Sequence, residues 1–173
     1  MKLNNQKTYF RRMKNKGEIL ANILMNFKEC YLFLHNTKDL NVVEKIMREG
    51  FLFENQLPHS TDRINPRETI EITYFLFQRK DYGSYTIVIA IPKTSYEIYS
   101  RISNDYNISI EDILTIAEPY SGDNDELIYK LSPHHILGYF NINSSDFIQN
   151  RNWDPSFNNY YQRNPGKIFN TDL

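Results

Sequence analysis

Apolar positions along the chain follow two rhythms, one helical and one alternating. Ile19, Leu20, Ile23, Leu24 and Phe27 recur at helical spacing, which predicts an amphipathic helix over residues 8 to 28 whose stripe needs a sheet or helix to cover it. Gly17 is the point where that helix would break or kink. The next run, Tyr31-Leu32-Phe33-Leu34-His35-Asn36-Thr37, reads as a buried strand. Because successive side chains alternate, Tyr31, Phe33 and His35 share one face and Leu32 and Leu34 the other, so His35 stands where the sheet opens. Asn36-Thr37-Lys38-Asp39 then offers N-cap candidates for a helix carrying Leu40, Val43, Ile46 and Met47 on one face. Gly50 suits the left-handed residue that ends it, with Phe51 folding back.

Residues 54 to 69 have few apolar anchors and include Pro58, His59, Asp62, Arg63 and Pro66, which predicts a long polar loop, a candidate lid. Ile70 to Phe77 and Tyr85 to Ile91 are rich in β-branched and aromatic residues and are separated by a turn-prone segment, so the expectation is a hairpin. Both faces of the second strand are apolar, as in a central strand covered on both sides. Pro92 ends it, and a helix from Ser95 to Ile102 follows. A shorter one begins at Ser109, where Ser109-Ile110-Glu111-Asp112 resembles a capping box. Two further strands are expected, Glu126 to Leu131 and Ile136 to Ile142, with adjacent His134 and His135 facing opposite ways. The stretch from Asn143 to Leu173 is rich in Asn and in aromatics and is expected to wrap over the domain.

A chain of 173 residues with 40% hydrophobic and 24% charged residues is long enough for one substantial core. The predicted organisation is a single α+β domain: a basic N-terminal helix (1–28), a core (29–142) and a C-terminal extension packed on it (143–173). The net charge of −1 gives no global attraction to nucleic acid, so any such partner must meet a local patch. Lys2, Lys7, Arg11, Arg12, Lys14 and Lys16 all precede the first acid, Glu18, and form that patch. The single cysteine, Cys30, excludes a disulfide framework, and the four histidines lack the spacing of a metal pair on one helical face, so no metal is expected. No apolar run approaches the ~20 residues needed to span a bilayer, and no signal-peptide core is visible. The expectation is a cytoplasmic protein, or an effector exported by a route the sequence does not show.

Candidate chemistry sits at strand ends: His35, Tyr74 and Glu126. Taken singly, each also fits a structural role: a hydrogen-bonded strand end, a core aromatic, an exposed carboxylate. Together, Leu34-His35-Asn36-Thr37 followed by a helix ending at Gly50, Tyr74-Phe75 on a later strand, and Glu126-Leu127-Ile128-Tyr129 before a final strand resemble the ADP-ribosyltransferase fold. The pattern resembles in particular the His-Tyr-Glu branch that includes diphtheria toxin and the poly-ADP-ribose polymerases. That resemblance, over residues 31 to 142, implies split antiparallel sheets and NAD as substrate. It implies that His35 bonds the nicotinamide ribose with Asn36 and Thr37 nearby, that Tyr74 stacks on nicotinamide with Tyr82 or Tyr85 as alternatives, and that Glu126 stabilises the cationic sugar. It further implies a bacterial toxin or effector with an antitoxin or immunity partner, and a protein or nucleic-acid acceptor met through Arg11, Arg12, Lys14 and Lys16. Asn36 stands where that family commonly has glycine. Asn124, two positions before Glu126, is neither Glu nor Gln, so the arginine-modifying variant is not indicated. Two other classes fit the same residues: a non-enzymatic binding module of the same architecture, and a metal-independent ribonuclease toxin using His35 or His59 with Arg63 or Lys130.

Overall fold

The computed structural model describes residues 2–107, 109–114 and 119–157, with side chains from Asn4 onward. It is an α+β fold of two antiparallel sheets and an N-terminal helix. In chain order the elements are α1 (Lys2–Leu24), β1 (Cys30–Thr37), α2 (Leu40–Glu49), β2 (Phe51–Glu54), α3 (Leu57–Ser60), β3 (Asp62–Ile64) and α4 (Thr69–Arg79). There follow β4 (Tyr85–Pro92), α5 (Lys93–Tyr106), α6 (Ile110–Leu114), β5 (Tyr120–Ser121), β6 (Leu127–Leu131), β7 (Ile136–Asn141) and β8 (Asp146–Gln149). The main sheet runs β3-β1-β4-β7-β8 and the smaller one β2-β6-β5.

The main sheet is the middle layer, with apolar side chains on both faces. On one face Leu32, Leu34, Val88 and Ala90 pack under α1 and α4. On the other, Phe33, Ile87, Ile89 and Ile91 meet α2, α5, α6 and the smaller sheet. Strand β4 lies between β1 and β7 with its interior residues buried, the central strand that its apolar faces require.

Residues 70 to 77, expected to be a strand, form α4 instead, so β4 has no hairpin partner there. The run is strand-prone by residue type. Its buried set, Ile72, Thr73, Phe75 and Leu76, nevertheless makes a helical stripe that α1 covers, and tertiary packing of this kind overrides intrinsic preference. Gly17 does not break α1, which runs through it. A Cβ at Gly17 would fall 2.9 Å from Thr73 Cα, so its missing side chain is what lets α4 approach. The expected loop at 54–69 resolves into β2's last residue, one helical turn in α3 and the three-residue edge strand β3.

Asp39 caps α2 by accepting from Asn41 N, and Gly50 ends it with its N–H donated to Ile46 O. Ser109 caps α6, accepting from Asp112 N at 3.1 Å as the first half of a capping box, while its hydroxyl donates to the Asp112 carboxylate. His134 and His135 lie in a 3-10 turn, Pro133–His135, rather than on a strand. The chain after β7 packs onto the core as far as it is described. β8 adds a fifth strand, Asn150 Nδ2 donates to Met47 O and Pro133 O, and Trp153 Nε1 donates to Ala90 O at 3.0 Å. The rest of the expected wrapping segment, residues 158–173, lies outside the described residues. No helix among the described residues is long and apolar enough to cross a membrane.

Candidate functional site

β3 covers the outer edge of β1 only from Leu32 to Leu34, pairing these with Ile64, Arg63 and Asp62. Beyond Leu34 the edge at His35 to Thr37 has no strand partner among the described residues. Around that gap α3 on one side and the C-terminal end of α4 on the other enclose a cleft of about 270 Å³. His35, His59, Ser60, Asp62, Arg79 and Tyr82 line it, with Phe75 and Pro58 as apolar wall.

His35 is fixed in this cleft. Its Nδ1 lies 2.8 Å from Ser60 O. A carbonyl only accepts, so Nδ1 carries the proton and Nε2 is left with a lone pair. Its ring meets Phe51 edge-on at 4.9 Å. Burial holds the imidazole below its ordinary pKa, the Ser60 carbonyl works against that by favouring the charged form, and the Arg79 guanidinium lowers it again. The ring is therefore neutral at physiological pH, a hydrogen-bond acceptor or proton acceptor rather than a cation. Arg79 pairs with Asp62 at 3.1 Å, both half-exposed, and its guanidinium lies 5.6 Å from the Tyr82 ring centroid. An exposed pair of this kind contributes little stability. Its consequence is positional: a cation, a carboxylate and an aromatic face stand together beside His35.

Of the expected site residues, the structure brings only some to this cleft. Asn36 borders it, but its side chain is used within the fold rather than presented to a cofactor. Its amide donates to Arg79 O and Gly83 O, and its carbonyl accepts from Thr86 Oγ1. Thr37 and Tyr85 face each other across β1 and β4, on the side of the sheet that His35 shares, with Tyr85 packed 5.9 Å from Tyr139. Tyr74 is on α4, not on a strand, and α4 covers the opposite face of the sheet. There it is half-exposed, 5.4 Å from Phe10, in a groove with Lys7 and Arg11. Tyr82 and Phe75 are aromatics that line the His35 cleft.

Glu126 precedes β6 in the hairpin of the smaller sheet. Its carboxylate accepts from Asn124 N at 2.8 Å and its carbonyl from Gly122 N, so it closes its own turn and does not line the cleft. The basic residues of α1 are divided as well. Arg11 lines the α1–α4 groove, Arg12 and Lys14 are exposed, and Lys16 Nζ reaches Ser145 Oγ.

Sequence reasoning did not single out Arg79 or Asp62, which are 17 residues apart and carry no motif. His59 and Tyr82 were visible as alternatives, because one is a histidine in a long polar stretch and the other an aromatic in a turn. Comparison with family models, with curated proteins and with solved structures returns no match.

Proposed function

We propose that the protein binds NAD by its nicotinamide-ribose end in the His35 cleft and cleaves the nicotinamide–ribose bond, passing ADP-ribose to a macromolecular acceptor in the manner of a bacterial toxin or effector. The observation that carries this reading is His35 itself: a neutral imidazole of fixed tautomer, beside an aromatic and a cation, at an open sheet edge. A cleft of about 270 Å³ lies just below the roughly 300–1,000 Å³ of pockets that enclose a whole drug-sized ligand. It suits one end of a dinucleotide, the rest lying outside.

In this reading His35 Nε2 accepts from a ribose hydroxyl, Tyr82 offers its ring to nicotinamide, and Arg79 meets the diphosphate. Departure of nicotinamide leaves a cationic sugar, which a nearby carboxylate stabilises more than it stabilises the ground state. Asp62 is the acid inside the cleft and Glu126 the one the family resemblance names. Comparing Asp62→Asn with Glu126→Ala assigns the role.

The test is NAD binding and nicotinamide release by purified protein. His35→Ala and Tyr82→Ala are expected to weaken binding about tenfold or more, the loss of roughly one good hydrogen bond or ring contact, while Tyr74→Ala leaves it unchanged. Absence of binding at millimolar NAD, or wild-type turnover in both carboxylate variants, would overturn the reading.

A second reading is favoured by one observation, that His35 and His59 line the same cleft with Arg79. A ribonuclease would use His35 Nε2 to take the proton from a ribose 2′-hydroxyl as it attacks the adjacent phosphorus. His59 would protonate the departing 5′-oxygen, leaving a cyclic phosphate, and Arg79 would hold the phosphate charge. RNA cleavage without NAD, lost in both His35→Ala and His59→Ala, is its signature.

A further inference from the structure

Toward the start of β1, at the end of the strand away from His35, lies a second and larger cleft of about 510 Å³. Its cations come from four separate segments: Lys28 from the turn before β1, Arg63 from β3, Arg67 from the β3–α4 loop and Lys93 from the first residue of α5. None of the four makes an ion pair among the described residues, whose salt bridges, Arg48–Glu49 and Arg79–Asp62, lie elsewhere.

The two acids on the rim, Glu68 and Glu71, are turned to Asn65. Glu71 accepts from its backbone N–H at 3.3 Å and Glu68 from its side-chain amide at 3.5 Å. Asn65 Oδ1 in turn accepts from Arg67 N, so these bonds organise the loop that presents Arg67. On the opposite wall the Arg63 guanidinium lies 4.0 Å from the Tyr31 ring centroid, with Lys93 Nζ at 5.9 Å from the same ring. Tyr96 meets that ring edge-on at 5.0 Å.

Converging like charges repel, and the repulsion is relieved when an anion enters between them. A single carboxylate needs one such cation. Four around one cleft, two of them guanidiniums with a planar fork, match a ligand carrying several phosphate oxygens. Arg63 already occupies a face of Tyr31, so recognition here is by charge and not by stacking a base.

We propose that this cleft is a phosphate site, distinct from the His35 cleft, that holds two or more adjacent phosphates of a nucleic-acid strand or of a free nucleotide or polyphosphate. It is independent of whether NAD is cleaved at His35, because its readout is binding alone.

The experiment titrates the full chain with inorganic tripolyphosphate, with ATP and with a short single-stranded RNA, each over a series of salt concentrations. The double variant Arg63→Ala/Lys93→Ala is expected to bind about tenfold or more weakly. For the RNA, the slope of log affinity against log salt should shrink by about 0.7 for each phosphate contact removed. Lys45→Ala, an exposed charge lost from α2 and outside both clefts, controls for net charge, and a thermal midpoint confirms that the variants fold. If the double variant proves unstable, Lys28→Ala/Arg67→Ala, which removes the two exposed cations of the turn and loop, should weaken binding to a similar degree. RNA far tighter than tripolyphosphate identifies a strand as the ligand; equal affinities identify a free polyphosphate. Absence of binding by all three probes at low salt, or equal binding by wild type and the double variant, would overturn the proposal.

Discussion

Gly83→Ala is expected to destabilise the protein by about 3 kcal/mol or more, the range of strained backbone combined with overpacking. Gly83 follows the 3-10 turn Lys80–Tyr82 with φ 134°, a region that side-chain-bearing residues rarely adopt. A Cβ there would collide with the carbonyl of Thr37 and the amide nitrogen of Lys38. Both are backbone atoms at the end of β1 and neither can rotate away. The same residue's carbonyl accepts from Asn36 Nδ2, and its N–H is donated to Lys80 O. The substitution thus forces apart the two segments that set Tyr82 beside His35. For a chain of this size each kcal/mol shifts the melting midpoint by roughly 2–4 °C, so a fall of about 6–12 °C should appear in thermal unfolding. Weakened ligand binding at the His35 cleft should accompany it. A midpoint within about a degree of wild type would show that the turn has room the geometry denies.

Acid should unfold the protein through His135. Its ring is 1% exposed, and neither nitrogen has a hydrogen-bond partner among the described residues. Tyr99 and Phe157 pack against it edge-on. Burial, with a smaller push from His134 and against a pull from Asp154, lowers its pKa from 6.5 to about 4. Well above pH 6.5 the ring is neutral in both folded and unfolded chains, and it adds nothing to the pH dependence. As pH falls below 6.5 the unfolded chain takes up a proton that the folded chain refuses until about pH 4, so stability is lost through that window and not above it. A shift of this size corresponds to about 3 kcal/mol at most. Urea unfolding at pH 7.5, 5.5 and 4.5 measures the loss. His135→Leu should remove the part due to this ring and reduce the difference between the first two pH values, leaving the part due to His35, whose pKa burial also lowers, while carboxylates titrate at the lowest. Equal pH dependence in wild type and variant would show that His135 is not the group responsible.

The parts of this fold that local chemistry determines were readable in advance. Asp39, the stripe through Val43 and the glycine at position 50 bracket α2, and the doubly apolar run through Ile87 to Ile91 could only be a central strand. Residues 70 to 77 were not readable, because Ile70, Ile72 and Thr73 favour a strand by type while their burial follows a helix. Only the approach of α1 at Gly17 settles it, and Gly17 is more than fifty residues away. α3 and β3 were unreadable for another reason: with four and three residues they complete little more than one period each, too few repeats to form a pattern. The candidate site divides the same way. His35 was visible as the one imidazole on an apolar strand. Tyr82 was visible as an alternative aromatic, whereas Ser60 and Arg79 reach His35 only through tertiary closure, so the cleft's cation and the bond that fixes the ring could not be read from spacing.

Trp153 bonds Ala90 O beyond the point where β7 stops pairing with β4, and its indole stands edge-on to Phe27 at 5.5 Å. It is the sole tryptophan in the chain. Three regions far apart in sequence therefore converge on one fluorophore: the 3-10 turn after α1, the central strand and the C-terminal segment. Its emission reports whether all three are assembled, so each substitution above can be followed by an intrinsic optical signal, without a label, while its ligand binding is measured separately.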